Sequence, residues 1–321
     1  MATIAIDTGP ERGQPGEVAL KDFFFIIGIG EFDPVARETW LYLRHSRRAY
    51  AYSFAMANQI AVVGAGVMGE AFIAALIRSG VPSSSIVAVV RRSERGDELV
   101  TKYSISVKTL EEALRTSEVV LLGIKPQGLA DLMPEIAPHL RPDALVISLL
   151  AGKTIAGISA GLNNHHSIAR VMPNTPTLIG KGMAGYSLSA GVTDAQKQFV
   201  QSLLAATGKA IEIPEDLQNA LTGTSGSGPA YFFRFVEAMV DGAVAMGLSR
   251  EDATTLTIQT IVGAAALLDE SGDTPTRLRE KVTSLKGATA EALAVFDEAG
   301  ISKIVAEAMA ASARRAGELA Q

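Results

Sequence analysis

The sequence predicts an α/β chain in which an N-terminal Rossmann-type NAD(P)-binding domain precedes an all-α dimerisation domain. Three observations predict it. A short apolar run, Ile60 to Val63, enters the glycine turn Gly64-Ala65-Gly66-Val67-Met68-Gly69, and a helical pattern comes next. From residue 58 strands and helices alternate, as a parallel sheet with crossover helices requires. Beyond Pro214 only helical periodicity remains.

The glycine turn sits in the context a dinucleotide site needs, strand before and helix after. Gly64 allows the tight turn, Gly66 lets the backbone approach a pyrophosphate, and Gly69 lets the helix pack on its strand. The pyrophosphate would lie on the helix N-terminus, where unpaired N–H groups favour an anion. The bland alternative is a tight turn that binds nothing.

Composition bounds the rest. The 321 residues leave room for roughly two domains with a substantial core. A net charge of −5 gives no reason to propose nucleic acid or an anionic membrane as partner. The chain has no cysteine, which excludes disulfides and thiol chemistry and is compatible with a reducing cytoplasm. Its four histidines show no metal-ligand spacing, so no metal is expected.

Residues 1–57 differ in character from the rest of the chain. Nine of the eighteen aromatics lie in the first 55 residues, including Trp40. The apolar run Phe23 to Gly30 is too short to span a bilayer and lacks the layout of a signal peptide. It reads as an accessory extension, upstream of a natural start at Met56. The alternative is a short membrane-surface or partner-binding segment.

The remaining elements run in chain order. A helix is expected over about 67–80 and a second strand over 85–90. An acidic residue at the end of that strand would suit the ribose of NAD; this chain has Arg91-Arg92-Ser93, which suits a 2′-phosphate and favours NADP(H) over NAD(H). The alternative is a solvated basic turn. Further strands are expected over 106–108, 118–126, 145–148 and 167–171, with helices over 109–115 and 128–138. The third long strand ends at Ile124-Lys125-Pro126, at the carboxyl edge where open α/β sheets bind ligands. The small-residue turn Ala151-Gly152 ends another. Met172-Pro173-Asn174-Thr175-Pro176 is a stiff loop that would hold Asn174 and Thr175 near a nicotinamide. A glycine-bearing segment and a helix over 194–207 complete a domain spanning 58–213.

Residues 214–321 read as helices over about 215–222, 228–247, 249–270, 274–283, 289–298 and 301–319. The helix from Pro229 to Met246 is apolar around most of its circumference, so a second subunit is expected to cover part of it. Two loops stand out. Ser225-Gly226-Ser227, entering Pro229, offers N–H groups and hydroxyls to a small carboxylate, or else is a helix cap with a linker. Ser284, with the amides of Gly287 and Ala288, could do the same; Thr289 either caps the next helix or binds substrate, and spacing alone favours capping. No Ser-His-Asp, Cys-His or paired-carboxylate pattern is present, which suits hydride transfer to an imine, where the cofactor carries the hard chemistry.

Together these residues resemble the pyrroline-5-carboxylate reductase family. The resemblance rests on Gly64 to Gly69, Arg92-Ser93, Ile124-Lys125-Pro126, Met172 to Pro176, Ser225 to Tyr231, Val282-Thr283-Ser284 and Gly287-Ala288-Thr289, in the family's order over residues 58 to about 319. It implies NAD(P)H-dependent reduction of 1-pyrroline-5-carboxylate to L-proline, the last step of proline synthesis, by a homodimer that often assembles into decamers. Carried over by position, it implies that Ser284, Gly287 and Ala288 hold the substrate carboxylate, Thr289 binds the ring nitrogen, and Met172, Pro173, Asn174 and Thr175 line the nicotinamide side. Two departures stand out. The family loop usually reads Ser-Pro-Gly-Gly, where this chain has Ser284-Leu285-Lys286-Gly287, and Thr109 stands where many members have Asn. The first keeps two alternatives open: reduction of a related cyclic imine, and a dimeric NADP-binding paralogue without catalysis.

Overall fold

The computed structural model describes residues 59–319, so the extension expected over 1–57 lies outside the described residues, as does the side chain of Pro126. Eight strands form one sheet: β1 (Ile60–Val63), β2 (Ile86–Val89), β3 (Ser106–Val107), β4 (Val119–Leu122), β5 (Leu145–Ser148), β6 (Ile168–Met172), β7 (Gly182–Leu188) and β8 (Gly208–Glu212), in the order β3-β2-β1-β4-β5-β6-β7-β8. β1 to β6 pair in parallel, β6 and β7 run antiparallel, and β7 and β8 are parallel again. Ile60 pairs with Ile86 on one side and Val119 on the other, so the strand order reverses at β1. That reversal opens a crevice at the carboxyl end of β1, where the glycine turn lies.

Both faces of the sheet are buried, which is why its central strands are continuous apolar runs. Ile60 and Val62 face one layer with Phe72, Leu76, Leu99, Phe199 and Leu203. Ala61 and Val63 face the other with Leu114, Leu129, Ile136 and Ile158. The first layer comes from α1 (Val67–Arg78), α2 (Ser93–Tyr103) and α6 (Asp194–Ala205). The second comes from α3 (Leu110–Thr116), α4 (Leu129–Ile136) and α5 (Ile155–Gly161). Thr109, one of the two departures, is the N-cap of α3 and forms a capping box with Glu112, a task a hydroxyl performs as well as the amide of Asn. The sequence reading lacked α2, α5, β7 and β8.

After β8 the chain is helical: α7 (Gln218–Leu221), a π-turn (Thr222–Gly226), α8 (Gly228–Ala245), α9 (Arg250–Glu270), α10 (Pro275–Lys281), α11 (Ala288–Glu298) and α12 (Ile301–Glu318). The two halves are tied by an ion pair whose arginine is buried and whose carboxylate is partly exposed. Arg170 in β6 is 6% exposed and donates to Glu215 Oε1 at 3.0 Å, and the same oxygen accepts the N–H of Ile155. The helices bury little of their own apolar surface. Phe232, Phe233, Leu256, Val262, Val295 and Ile304 are all more than half exposed. Such faces in a folded chain mark an interaction surface. Among the described residues no helix is long and apolar enough to cross a membrane.

Candidate active site

Gly64 has φ +85°, and a Cβ on it would be driven into the side chain and backbone of Ile124, so the turn accepts only glycine there. Gly69 is needed for another reason: a Cβ would strike the carbonyl of Gly64 as α1 closes on its strand. Gly66 is different. A Cβ there meets nothing within 4 Å, so its missing side chain is not a packing requirement of the fold. It is the N-cap of α1 and no side chain caps it, which leaves first-turn amides facing open space. An open glycine at an uncapped helix start, at the strand reversal, fits a dinucleotide pyrophosphate. Ala65 is buried, while Val67 is exposed beside it.

Arg91, Arg92 and Ser93 are exposed where β2 gives way to α2, and Arg92 is the N-cap of that helix. Among the described residues neither guanidinium has an ion-pair partner, so both stay available to an anion. Arg91 reaches across towards Gly128, at the start of α4. Ile124 packs on the glycine turn and Lys125 is exposed at the crevice. Ala151 and Gly152 form a turn just after β5, with Gly152 at φ +78°.

The loop after β6 is only partly free. Asn174 Oδ1 accepts from the N–H of Met183 at 2.9 Å, and its Nδ2 donates to the carbonyl of Ser225 at 3.1 Å. Its amide therefore clamps β7 to the helical half, with one N–H and one lone pair already engaged. Thr175 is exposed and opens a short 3-10 turn, while Pro173 is buried. Met172 lies against Gly226.

The segment expected as a carboxylate-binding loop at Ser225 to Ser227 is not a loop. The chain runs from α7 through the π-turn into α8 with only Ser227 between, and the hydroxyls of Thr222, Thr224 and Ser225 bond back to the carbonyls of Gln218, Ala220 and Leu221. Ser227 Oγ meets Ser312 Oγ at 2.8 Å, and the Tyr231 hydroxyl donates to the Gly223 carbonyl at 3.0 Å. Small residues are there because α12 packs on them: a Cβ on Gly223 would meet the Met309 carbonyl. One-turn π insertions of this sort recur at functional sites.

The second polar turn is open. The Gly287 N–H donates to Ser284 O at 3.0 Å, closing a turn with Leu285 and Lys286 at its centre. The Gly287 amide is therefore occupied within the turn, and the free first-turn amides are those of Ala288 and Thr289. Gly287, not Thr289, is the N-cap of α11, and no side chain caps it. Capping, the role spacing favoured for Thr289, is thus filled by backbone, and Thr289 stands exposed at the second helical position. Lys286 has φ +59°, in the left-handed region that glycine tolerates and that strains a lysine. No hydrogen bond among the described residues joins this turn to the Met172–Thr175 loop.

The cofactor crevice and the turn before α11 thus lie on the two halves of one chain, and comparison with known proteins gives the pair its meaning. Pyrroline-5-carboxylate reductases of Pseudomonas aeruginosa and of Synechocystis sp. are 38% and 39% identical to this chain, and each alignment covers 82% of it and at least 97% of the relative. The chain belongs to the pyrroline-5-carboxylate reductase family. The family model described as pyrroline-5-carboxylate reductase dimerisation matches residues 215–319, the stretch that carries the exposed apolar helices. The model described as NADP oxidoreductase, coenzyme F420-dependent, matches residues 59–152, which hold the glycine turn and the arginines. Among solved structures, a reductase of this family from Coxiella burnetii superposes with a TM-score of 0.77 at 31% identity, covering 82% of this chain and 99% of that one. The Plasmodium falciparum enzyme, solved with NADP bound, superposes with a TM-score of 0.74 at 25% identity, covering 82% and 98%.

Two groups near the crevice escaped the sequence reading. Arg95 Nε donates to the carbonyl of Ala65 at 3.0 Å, and its guanidinium also binds Glu98 and Glu70. Burial pushes the Glu70 carboxyl up, but hydrogen bonds from Arg95, Lys102 and Tyr103 outweigh that and hold it at about 2. Apart from the i,i+3 pair Arg95–Glu98, these contacts join residues that meet only in the fold, so no local pattern announces them. Among the described residues no group of three or more histidine, aspartate or glutamate side chains is placed to hold a metal.

Proposed function

We propose that this chain reduces 1-pyrroline-5-carboxylate to L-proline with NADPH, in the cytoplasm, as the last step of proline synthesis. The observation that carries the reading is the near full-length match to pyrroline-5-carboxylate reductases. The bound nicotinamide supplies the hydride, and the protein's part is to hold and polarise. The first-turn amides of α1 and the open face at Gly66 take the pyrophosphate. Arg91, Arg92 and Ser93 take the 2′-phosphate, which supports NADPH over NADH.

On the substrate side, the Ser284 hydroxyl and the N–H of Ala288 bind the carboxylate at the start of α11. Gly287 contributes by leaving no side chain in the way. The Thr289 hydroxyl bonds the ring nitrogen, which gains an electron pair as the imine carbon accepts hydride. A protonated imine already carries its positive charge, so no strong side-chain acid is required. Ser225, Gly226 and Ser227 shape the wall behind Met172 and do not grip the substrate. We place the domain division at 58–213 and 214–321, with two chains paired through the helical half and pairs assembling further into a decamer.

The test is loss of reduced-nicotinamide absorbance with purified chain, pyrroline-5-carboxylate and NADPH, repeated with NADH and with Thr289→Ala. Turnover that falls ten- to a hundredfold in the variant is expected, about the worth of one hydrogen bond to a charged group. NADPH binding without turnover would instead favour the non-catalytic paralogue, whose support is the Leu285-Lys286 departure.

A further inference from the structure

The carbonyl of Ala65 precedes the first hydrogen bond of α1, in which the Glu70 N–H donates to the Gly66 carbonyl. It is held by Arg95 Nε at 3.0 Å. The Ala65–Gly66 peptide is planar and trans, so its N–H points away from its carbonyl. Holding the carbonyl fixes where the Gly66 N–H aims, and a Cβ on Gly66 would find only open space. The same guanidinium binds Glu70 in the first turn of α1. It also stands three residues after the Arg92 N-cap of α2, so one side chain joins the starts of both helices.

The charge balance around it shows how it works. Arg95 is flanked by Glu70 and Glu98, and Glu70 also pairs with Lys102, so two cations meet two carboxylates. Little net field is left to attract a phosphate. The guanidinium acts by geometry, and its planar fork reaches three acceptors on two elements, which an ammonium point charge does not. Both Arg95 and Glu70 side chains are only about one-fifth exposed, which shields the pair from solvent screening.

Building on the proposed dinucleotide site, we infer that Arg95 is a positioning residue for the cofactor: it locks the pyrophosphate-binding peptide at Ala65–Gly66 and sets its spacing from the phosphate-binding arginines at the start of α2. NADPH is read at both points and NADH at one. Loosening Arg95 therefore costs NADPH more than NADH.

The experiment measures KM for NADPH, NADH and pyrroline-5-carboxylate, with kcat, in the full chain and in Arg95→Gln, Arg95→Lys and Glu98→Gln. Arg95→Gln is expected to raise KM for NADPH about tenfold or more, the scale of a lost charge-assisted hydrogen bond, and KM for NADH less. The KM of the pyrroline should stay within about twofold. Glu98→Gln removes only the charge of an exposed partner and should resemble the wild type. Arg95→Lys should recover only part of the loss, and it carries the test if Arg95→Gln does not fold. Cofactor KM values within about twofold of wild type in a folded Arg95 variant would overturn the inference, as would equal losses for NADPH, NADH and the pyrroline. Wild-type protein that binds neither nucleotide by calorimetry would instead overturn the dinucleotide reading itself.

Discussion

Lys286 offers a direct measure of what the turn before α11 costs. The turn runs from Ser284 to Gly287, closed by a 3.0 Å hydrogen bond, with Lys286 third at φ +59° and Leu285 second outside the left-handed region. That combination is a type II turn, which favours proline second and glycine third. A left-handed lysine costs about 1–2 kcal/mol. Glycine relieves the strain but returns about 0.5–1 kcal/mol through the freedom it gains in the unfolded chain. Leu285 is 94% exposed, so exchanging it sacrifices no packing. Proline there adds about 0.4–1 kcal/mol by restricting the unfolded chain. The pair Leu285→Pro with Lys286→Gly should therefore stabilise by about 1–2 kcal/mol. For a chain this long that is a rise of about 1.5–3 °C in melting midpoint. Scanning calorimetry at fixed protein concentration reads it. Lys286→Ala removes the charge but keeps the Cβ, so it should leave the midpoint near wild type. A Lys286→Gly midpoint below that of Lys286→Ala would refute the strain argument.

Further expectations concern the glycine turn, the inter-half clamps and pH. Gly66→Ala should fold with a near wild-type melt, because nothing lies within 4 Å of the new Cβ, yet lose nucleotide binding by calorimetry. Gly64→Ala should lose stability by several kcal/mol in urea titration, since φ strain and a clash with Ile124 add. Glu215→Ala leaves buried Arg170 without its counter-charge and should cost about 3 kcal/mol in thermal melting. Asn174→Ala breaks the clamp from β7 to Ser225 and should cost about 1–3 kcal/mol by urea titration. The Glu70 carboxyl is depressed from 4.5 to about 2, so its contribution is complete above about 4.5 and fades as pH falls towards 2. Glu70→Gln should flatten that part of the stability-pH curve, measured by denaturant unfolding across the window.

The parts legible in the sequence were those with local signatures. The apolar runs of β1, β2, β4, β5 and β6 and the Gly64–Gly69 turn announce the parallel half, and periodicity announces the helices. Strand β7 stayed hidden because Gly182 and Gly185 read as breakers. In the fold a Cβ on Gly208 would collide with the Gly182 backbone, so glycine is what lets β7 and β8 approach. Helix α2 was missed because only Gly96 and Leu99 of its eleven residues are buried, too few for an apolar stripe. The small-residue run at Thr222 looks like a linker until α12 is seen packed on it. At the substrate turn, the hydroxyls were legible, but only the backbone shows that Gly287 takes the cap and leaves Thr289 free. Arg95 had no signal, because Ala65 and Glu70 meet it only across two helices.

The bare faces of α8, α9, α11 and α12 bear on the chain's life before it is an enzyme. Each newly made copy carries Phe232, Phe233 and Val262 uncovered until it meets its twin. Partner search therefore races against indiscriminate clumping. At low copy number the search is slow, and at very high synthesis rates wrong encounters compete with right ones. Melting temperature then becomes a function of how much protein is in the tube, because unfolding and separation draw on one equilibrium. Dilution is a denaturant for such a molecule.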